Sequence, residues 1–219
     1  TMGMPAFWAL HTDVLDAKQL DRMVKHLDDP KTFNRPHRVP SLSADNPKYN
    51  PRGRYWQGGV WPGTNYMVIT GLDKKGYTKQ AKEIAKNHYN NVFEVYKNTG
   101  TFWEYYAPEA AEPGFMARKD FVGWTGLPPI AVFIEYILGI RSDYANHSVI
   151  WDITQTEAHG MERYPYGPDG LVSFKVNKRN SADETPSVTI DSNVAFELTL
   201  LWGKDKSKKV SAQVGKQTI

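Results

Sequence analysis

The chain contains no cysteine among its 219 residues, which excludes disulfide bonds and thiol chemistry. It also lacks a long apolar run, since no stretch approaches the roughly 20 residues of a membrane-spanning helix. Neither sign of charge is in large excess: the net charge is +3, and the one basic cluster, residues 204–209, is typical of a solvated hairpin turn. We therefore expect neither a membrane nor a nucleic acid as a partner.

Several catalytic signatures are missing as well. The sequence has no His-Glu-x-x-His, no P-loop, no dinucleotide-binding fingerprint and no Gly-x-Ser-x-Gly. Its six histidines are scattered, and His147 and His159 lie near the C-terminal third, where we expect structural roles. These absences predict a protein that uses neither a metal nor a cofactor.

The first 140 residues mostly have the apolar periodicity of helices. Segments 6–10, 66–69 and 129–134 are apolar on every side. Two amphipathic segments lie between them, one capped by Asp16 and the other running from Thr78 to Gly100. This alternation predicts inner helices wrapped by outer ones, with Thr125 capping the last inner helix. A long Pro-rich segment, 31–59, is expected to line a site.

From residue 148 the apolar period changes to two. Val172, Phe174 and Val176 alternate with polar residues, and residues 196–202 do the same. The chain therefore predicts a mainly α fold of about five helices over residues 1–142. A small antiparallel β unit is expected over residues 143–219.

Residues 100–124 should form a loop, yet they carry many large aromatic side chains, among them Trp103, Tyr105, Tyr106, Phe115, Phe121 and Trp124. Surface loops avoid so much aromatic area unless a ligand stacks on it. Glu104 lies among these rings, and loss of solvation there would suit the carboxylate for acid–base chemistry. The alternative is a loop folded into the core, with Glu104 paired to an arginine.

Other carboxylates near this loop are fallback candidates for catalysis. They are Glu109, Glu112 and Asp120. Glu135 lies within a predicted buried helix, where a salt bridge or a hydrogen-bonded partner is the expected role.

A second aromatic cluster covers residues 54–62. Tyr55, Trp56 and Trp61 offer flat faces, and Gln57 offers both a donor and an acceptor. The pair Gly58-Gly59 would let the backbone approach a ligand closely. Sugars present apolar C–H faces and rings of hydroxyls, so this mixture suits them. Ordinary packing is an equal alternative for Trp61. The predicted substrate-binding residues come from both clusters and are Tyr55, Trp56, Gln57, Trp61, Trp103, Tyr105 and Trp124.

Three segments in this order resemble glycoside hydrolase family 63 and its relatives, which include processing α-glucosidase, mannosylglycerate hydrolase and trehalase. They are 55–62 (Tyr-Trp-Gln-Gly-Gly-Val-Trp-Pro), 103–109 (Trp-Glu-Tyr-Tyr-x-Pro-Glu) and 121–126 (Phe-Val-Gly-Trp-Thr-Gly). The resemblance covers about residues 7–140. The β unit is similar to a C-terminal appendage of some bacterial members.

The resemblance implies part of an (α/α)6 toroid and inverting hydrolysis of an α-glycosidic bond. Glu104 matches the family's general base, and Tyr55, Trp56, Trp61 and Trp124 match positions that line its sugar pocket. The family's general acid is an aspartate on an earlier Trp-Asp motif, and no such motif precedes these segments.

The resemblance therefore implies the C-terminal portion of a glycosidase that acts on an oligosaccharide or disaccharide. The general acid would lie outside this chain. We also expect contact with another chain, or self-association, through apolar helix surface. The alternatives are a non-catalytic sugar-binding module, a toroid half that serves assembly or regulation, and a trehalase-type enzyme.

Overall fold

The computed structural model describes residues 2–219, and the chain divides into two compact units, Thr1–Val132 and Phe133–Ile219. The first unit contains a 3₁₀ helix, Met4–His11, and a second 3₁₀ turn, Trp124–Gly126. Its α-helices are α1 (Ala17–Asp28), α2 (Pro62–Lys74) and α3 (Thr78–Thr99). A π-helix, Pro128–Ile137, contains the boundary between the units. Within residues 2–219, no helix combines the length and apolar character needed to cross a membrane.

The ends of the α-helices follow from local sequence signals. At the start of α1, Asp16 accepts a hydrogen bond from the Gln19 amide (2.8 Å), and the Gln19 side chain accepts one from the Asp16 amide (2.9 Å). Pro62 occupies the first turn of α2, where its missing N–H costs nothing. Gly100 ends α3 in the left-handed conformation that glycine adopts without steric cost. The sequence predicted the cap at Asp16 and the helix end at Gly100.

Two of the three predicted inner helices differ from the prediction. Segment 6–10 forms a 3₁₀ helix whose Trp8 is exposed. Segment 129–134 lies in the π-helix, where the Val132 amide donates to the Leu127 carbonyl five residues earlier. Pro128 and Pro129 contribute no N–H there, so the first turn lacks two ordinary α-helical donors.

The second unit contains eight strands in two four-stranded sheets. The sheet orders are β1-β2-β6-β7 and β3-β4-β5-β8. All neighbouring strands are antiparallel except β2 and β6, which are parallel. The strands are β1 (Ile140–Asp143), β2 (Ser148–Ile153), β3 (His159–Tyr166), β4 (Gly170–Val176), β5 (Val188–Ser192), β6 (Phe196–Trp202), β7 (Lys206–Ala212) and β8 (Gly215–Thr218).

One apolar core joins the two sheets. Alternate side chains of β4 are buried, as the period-two pattern predicted, and Phe174 meets Trp151 of β2 edge-to-face at 5.4 Å. Most of the basic cluster lies in a strand and not in the turn. Lys206, Lys208 and Lys209 belong to β7, an edge strand of its sheet, and all three are exposed.

The prediction of a mainly α fold, built as part of an (α/α)6 toroid, is therefore wrong. The fold is mixed, since the chain contains eight strands in two sheets as well as three α-helices. Two long segments of the first unit, 29–61 and 100–123, contain no helix. Within the β unit, the parallel β2–β6 pair breaks the expected antiparallel order.

A buried histidine pair attaches the long segment before α2 to α3. Nε2 of His37 lies 2.9 Å from Nδ1 of His88, and both side chains are fully buried. The His37 amide also donates to the Pro108 carbonyl (2.8 Å), and its ring lies 5.7 Å from that of Tyr106. Burial lowers the pKa of His88 from 6.5 to about 3 and lowers the pKa of His37 well below 6.5.

We expect this pair to make the first unit unstable in acid. The unfolded chain takes up protons on both histidines below pH 6.5, whereas the folded chain does not until the pH approaches their lowered pKa values. The contribution of the two neutral histidines to the free energy of unfolding is therefore fully present above about pH 6.5. It falls toward pH 3, by about 1.4 kcal/mol per pH unit for each histidine. The melting temperature, followed by circular dichroism at 222 nm, should fall between pH 7 and pH 5.

The matched variants are His88→Gln, which removes one titrating ring from the pair, and His26→Gln on α1. The first variant should have a melting temperature that changes less with pH, and the second should keep the pH dependence of the wild type. An equal pH dependence in wild type and His88→Gln would contradict the prediction.

Candidate active site

Backbone pairing brings the two aromatic segments side by side. The Val60 amide donates to the Tyr106 carbonyl (2.9 Å), and the Tyr106 amide donates back to the Val60 carbonyl (3.0 Å). The Ser41 amide donates to the Gly59 carbonyl (3.0 Å), which adds the long segment 31–59 to the same region. Residues 55–62 and 103–106 therefore share one surface, all within the first unit.

The aromatic rings there form an ordered stack. Trp61 lies between Trp56 and Tyr105, with both ring centroids 4.4 Å away and interplanar angles of 18° and 27°. Tyr55 meets Trp61 edge-to-face at 5.1 Å, and Trp124 lies 5.7 Å from Trp61. Trp61 is only 3% exposed, whereas Tyr55, Trp56 and Trp124 are 54%, 48% and 41% exposed. The three outer rings thus form an exposed aromatic platform on a buried support.

The backbone of Tyr55 is held in an unusual conformation beneath this platform. Its φ is +50°, in the left-handed region that non-glycine residues rarely adopt. Its carbonyl accepts hydrogen bonds from the Gly59 amide (3.0 Å), the Trp61 indole (3.3 Å) and the Ser41 hydroxyl (3.4 Å). These contacts offset a cost of about 1–3 kcal/mol for the strained backbone.

The two adjacent glycines serve packing and not ligand approach, so that sequence interpretation is wrong. A Cβ on Gly59 would lie 2.4 Å from the Tyr55 carbonyl oxygen and 3.0 Å from the Tyr105 ring. Gly58 is buried at φ +108°, against the Asn50 carbonyl and the Tyr49 ring. Both positions need glycine because the protein's own atoms fill the space.

Glu104 is fixed through its main chain, and its carboxylate remains free. The Glu104 amide donates to the Arg118 carbonyl (3.0 Å), and its carbonyl accepts from the Trp124 indole (2.7 Å). The side chain is partly buried, and within residues 2–219 no hydrogen bond or ion pair engages its carboxylate. The alternative that Glu104 pairs with an arginine is therefore not seen.

The tyrosines beside Glu104 remain neutral. The Tyr105 hydroxyl donates to the Phe115 carbonyl (2.9 Å), and burial raises the pKa of Tyr105, with the negative charge of Glu104 acting in the same direction. Burial also raises the pKa of Tyr106 to about 12. Neither phenol competes with the carboxylate as a base near neutral pH.

The fallback carboxylates are less suitable. Both oxygens of Glu109 accept hydrogen bonds from Arg35 (2.8 and 2.7 Å), and Tyr49 donates a further one (2.6 Å). The hydrogen bonds from Arg35 keep the pKa of the Glu109 carboxyl low. Asp120 is exposed and accepts from the Thr101 hydroxyl (2.7 Å), and Glu112 is exposed outside the ring stack.

Two predicted ligand-contacting residues have different surroundings. The Trp103 ring packs against the core cluster that contains Val60, Val92 and Tyr106, and its indole donates to the Thr99 hydroxyl (3.0 Å). In the part of the chain that the structure describes, this ring does not join the Trp61 stack. The Gln57 side chain is partly exposed, and its carboxamide group makes no hydrogen bond with residues 2–219, so this group is available to a ligand.

The sequence interpretation missed the role of Thr125. It was expected to cap a helix, but its buried hydroxyl donates to the Trp103 carbonyl (2.7 Å).

A Trp-Asp pair does occur at residues 151–152, on β2, where Trp151 is fully buried and Asp152 lies 3.8 Å from Arg141. Among residues 2–219, no group of three or more histidine or acidic side chains could hold a metal ion.

Comparison with known proteins gives consistent matches. A family model described as a mannosylglycerate hydrolase MGH1-like glycoside hydrolase domain matches residues 1–125. The chain is 39% identical to mannosylglycerate hydrolase MGH1 of Selaginella moellendorffii over 87 residues, 40% of this chain and 16% of that protein. It is 30% identical to a probable mannosyl-oligosaccharide glucosidase of Schizosaccharomyces pombe over 122 residues, 51% of this chain and 15% of that protein.

A solved structure also matches. The GH63 mannosylglycerate hydrolase from Thermus thermophilus in complex with glucose is 21% identical, with a TM-score of 0.48, over 61% of this chain and 31% of that chain. The chain thus spans 15–16% of the length of the two curated relatives and 31% of that structure.

Proposed function

The chain belongs to the mannosylglycerate hydrolase MGH1-like glycoside hydrolase family, and we propose that it supplies the general base and sugar platform of an inverting α-glycosidase. The catalytic residue is Glu104. The substrate is an α-linked glucoside or a related oligosaccharide, in keeping with the glucosidase and mannosylglycerate hydrolase names of the relatives.

The observation that carries this proposal is the state of Glu104. Its main chain is held on both sides, while its carboxylate has no protein partner within residues 2–219. A base must accept a proton from water, so its oxygens have to be free of permanent donors. Glu109, which accepts three hydrogen bonds from Arg35 and Tyr49, lacks that freedom.

The proposed reaction is a single displacement. Glu104 takes one proton from a water molecule, and the water oxygen forms a bond to the anomeric carbon. The bond from that carbon to the leaving oxygen breaks on the opposite face, and a general acid gives that oxygen a proton. Inverting enzymes hold the two carboxyl groups roughly 6.5–9.5 Å apart to leave room for the water.

Tyr55, Trp56 and Trp124 form the sugar platform in this proposal. Their exposed rings suit the apolar C–H face of a sugar, and Gln57 can donate to and accept from its hydroxyls. Trp61 and Tyr105 are buried beneath the platform, where they support the outer rings.

We assign the two parts of the chain different roles. Residues 1–142 act as the C-terminal part of the glycosidase, and residues 143–219 act as an appendage. The general acid belongs to a further part of the enzyme, either on the same polypeptide or on another chain. The exposed Trp8 and Ile130 support an apolar contact with that part.

We expect the 219-residue chain alone to release no sugar from an α-glucoside, while the complete enzyme, which joins it to the general acid, releases the β-anomer first. Proton NMR of the first minutes of hydrolysis distinguishes the anomers before mutarotation. Light scattering on the chain alone tests the apolar contact. Initial release of the α-anomer would contradict inversion, and hydrolysis by a monomer of this chain would contradict the separate acid.

A sugar-binding module without catalysis is the competing function. It predicts binding of an α-glucoside by the complete protein with no hydrolysis at any pH. Hydrolysis that depends on Glu104 excludes it.

A further inference from the structure

The main chain on both sides of Glu104 is held by side chains from one short segment. Thr125, fully buried, donates its hydroxyl to the Trp103 carbonyl at 2.7 Å. Trp124, its neighbour, donates its indole N–H to the Glu104 carbonyl at 2.7 Å. The Trp103 amide donates to the Tyr106 hydroxyl (3.3 Å), and the Glu104 amide donates to the Arg118 carbonyl (3.0 Å). All four backbone polar groups of residues 103 and 104 therefore have partners.

We propose that Thr125 is a positioning residue for the Glu104 carboxylate, acting through the Trp103 carbonyl. This inference rests on the proposed function of Glu104. Because no described residue holds the carboxylate itself, the place of its oxygens follows from the main chain that carries it. Of the two side chains that donate to that main chain, Thr125 is buried. Trp124 is exposed and also belongs to the platform.

We expect kcat to depend on the hydroxyl group of Thr125 and not on the size of its side chain. Valine has nearly the same shape, but it would leave the partly buried Trp103 carbonyl without the hydroxyl donor of Thr125. The peptide plane could then rotate, and the carboxylate would move with it. A misplacement of about 1 Å at a reacting group can lower the rate about 10²-fold.

The test compares Thr125→Val with Thr125→Ser in the complete enzyme. We expect Thr125→Val to lower kcat by about 10- to 100-fold with KM within about twofold of wild type. Thr125→Ser keeps the hydroxyl and should restore kcat to within about threefold. A loss that affects Val and Ser equally, or one that appears only as a lower melting temperature with normal kcat, would overturn the inference.

A double-mutant cycle with Glu104→Gln separates positioning from general damage. If Thr125 acts through the carboxylate, Thr125→Val should cost little further kcat once Glu104 is glutamine. If the two losses multiply instead, Thr125 does not act through Glu104, although Glu104 can still be the base. If Glu104→Gln alone keeps the wild-type rate, the proposed function is contradicted and the positioning role is overturned with it.

Discussion

Replacing Glu104 by glutamine is expected to lower kcat of the complete enzyme by about 10²–10⁴-fold, while the sugar still binds. Glutamine keeps the size of the side chain, and the main-chain contacts of Glu104 to Arg118 and Trp124 do not involve it. The amide oxygen, however, cannot accept a proton from water as a carboxylate does. Steady-state kinetics on an α-glucoside measures kcat, and calorimetric titration with an unreactive sugar analogue measures binding.

The matched control for this substitution is Glu112→Gln, which removes an exposed carboxylate from the same loop and should retain the wild-type rate. If Glu104→Gln keeps more than a tenth of the wild-type kcat, the assignment of the base is wrong. Glu109→Gln and Asp120→Asn would then identify which remaining carboxylate takes that role.

The largest expected loss of stability comes from Trp61→Ala. Trp61 is buried between Trp56 and Tyr105, and removal of a buried tryptophan costs about 3–5 kcal/mol in free energy of unfolding. Its loss also deprives the Tyr55 carbonyl of one of three donors. Urea unfolding followed at 222 nm reports on the first unit, because all three α-helices lie there.

Trp56→Ala is the matched variant from the other end of the stack. Since Trp56 is half exposed, we expect a loss of stability below about 1.5 kcal/mol. Affinity for the sugar should fall about tenfold or more, which corresponds to roughly 1.4 kcal/mol of binding free energy. A larger loss of stability than of binding energy would show that the Trp56 ring supports the fold and not the ligand.

The sequence predicted well those elements that depend on local signals. The cap at Asp16 and the helix end at Gly100 each depend on a few neighbouring residues. The aromatic cluster at residues 55–62 was also recognisable, since flat rings beside a polar amide are unusual in a loop. The functional roles of these residues stay predictions that the experiments above test.

One error had a local cause. Apolar character at 129–134 indicated a buried α-helix, but Pro128 and Pro129 lack N–H donors, and the segment lies in a π-helix with Ile130 exposed. The other errors arose where distant residues decide the structure. Gly58 and Gly59 were interpreted as space for a ligand, although Tyr49, Tyr55 and Tyr105 fill that space. The Thr125 contact spans 22 residues, and no local pattern shows which carbonyl a threonine will reach.

The lysines of β7 have a consequence for the behaviour of the protein at high concentration. An edge strand presents unpaired backbone groups, which can recruit a strand from a second molecule and begin aggregation. On β7, Lys206 forms an ion pair with Asp183 (3.8 Å), and Lys208 and Lys209 place two further positive charges along that edge. A second copy of the same edge would bring four of these further charges together, so strand-to-strand association there is repelled. The basic cluster is thus well placed to keep the β unit from polymerising.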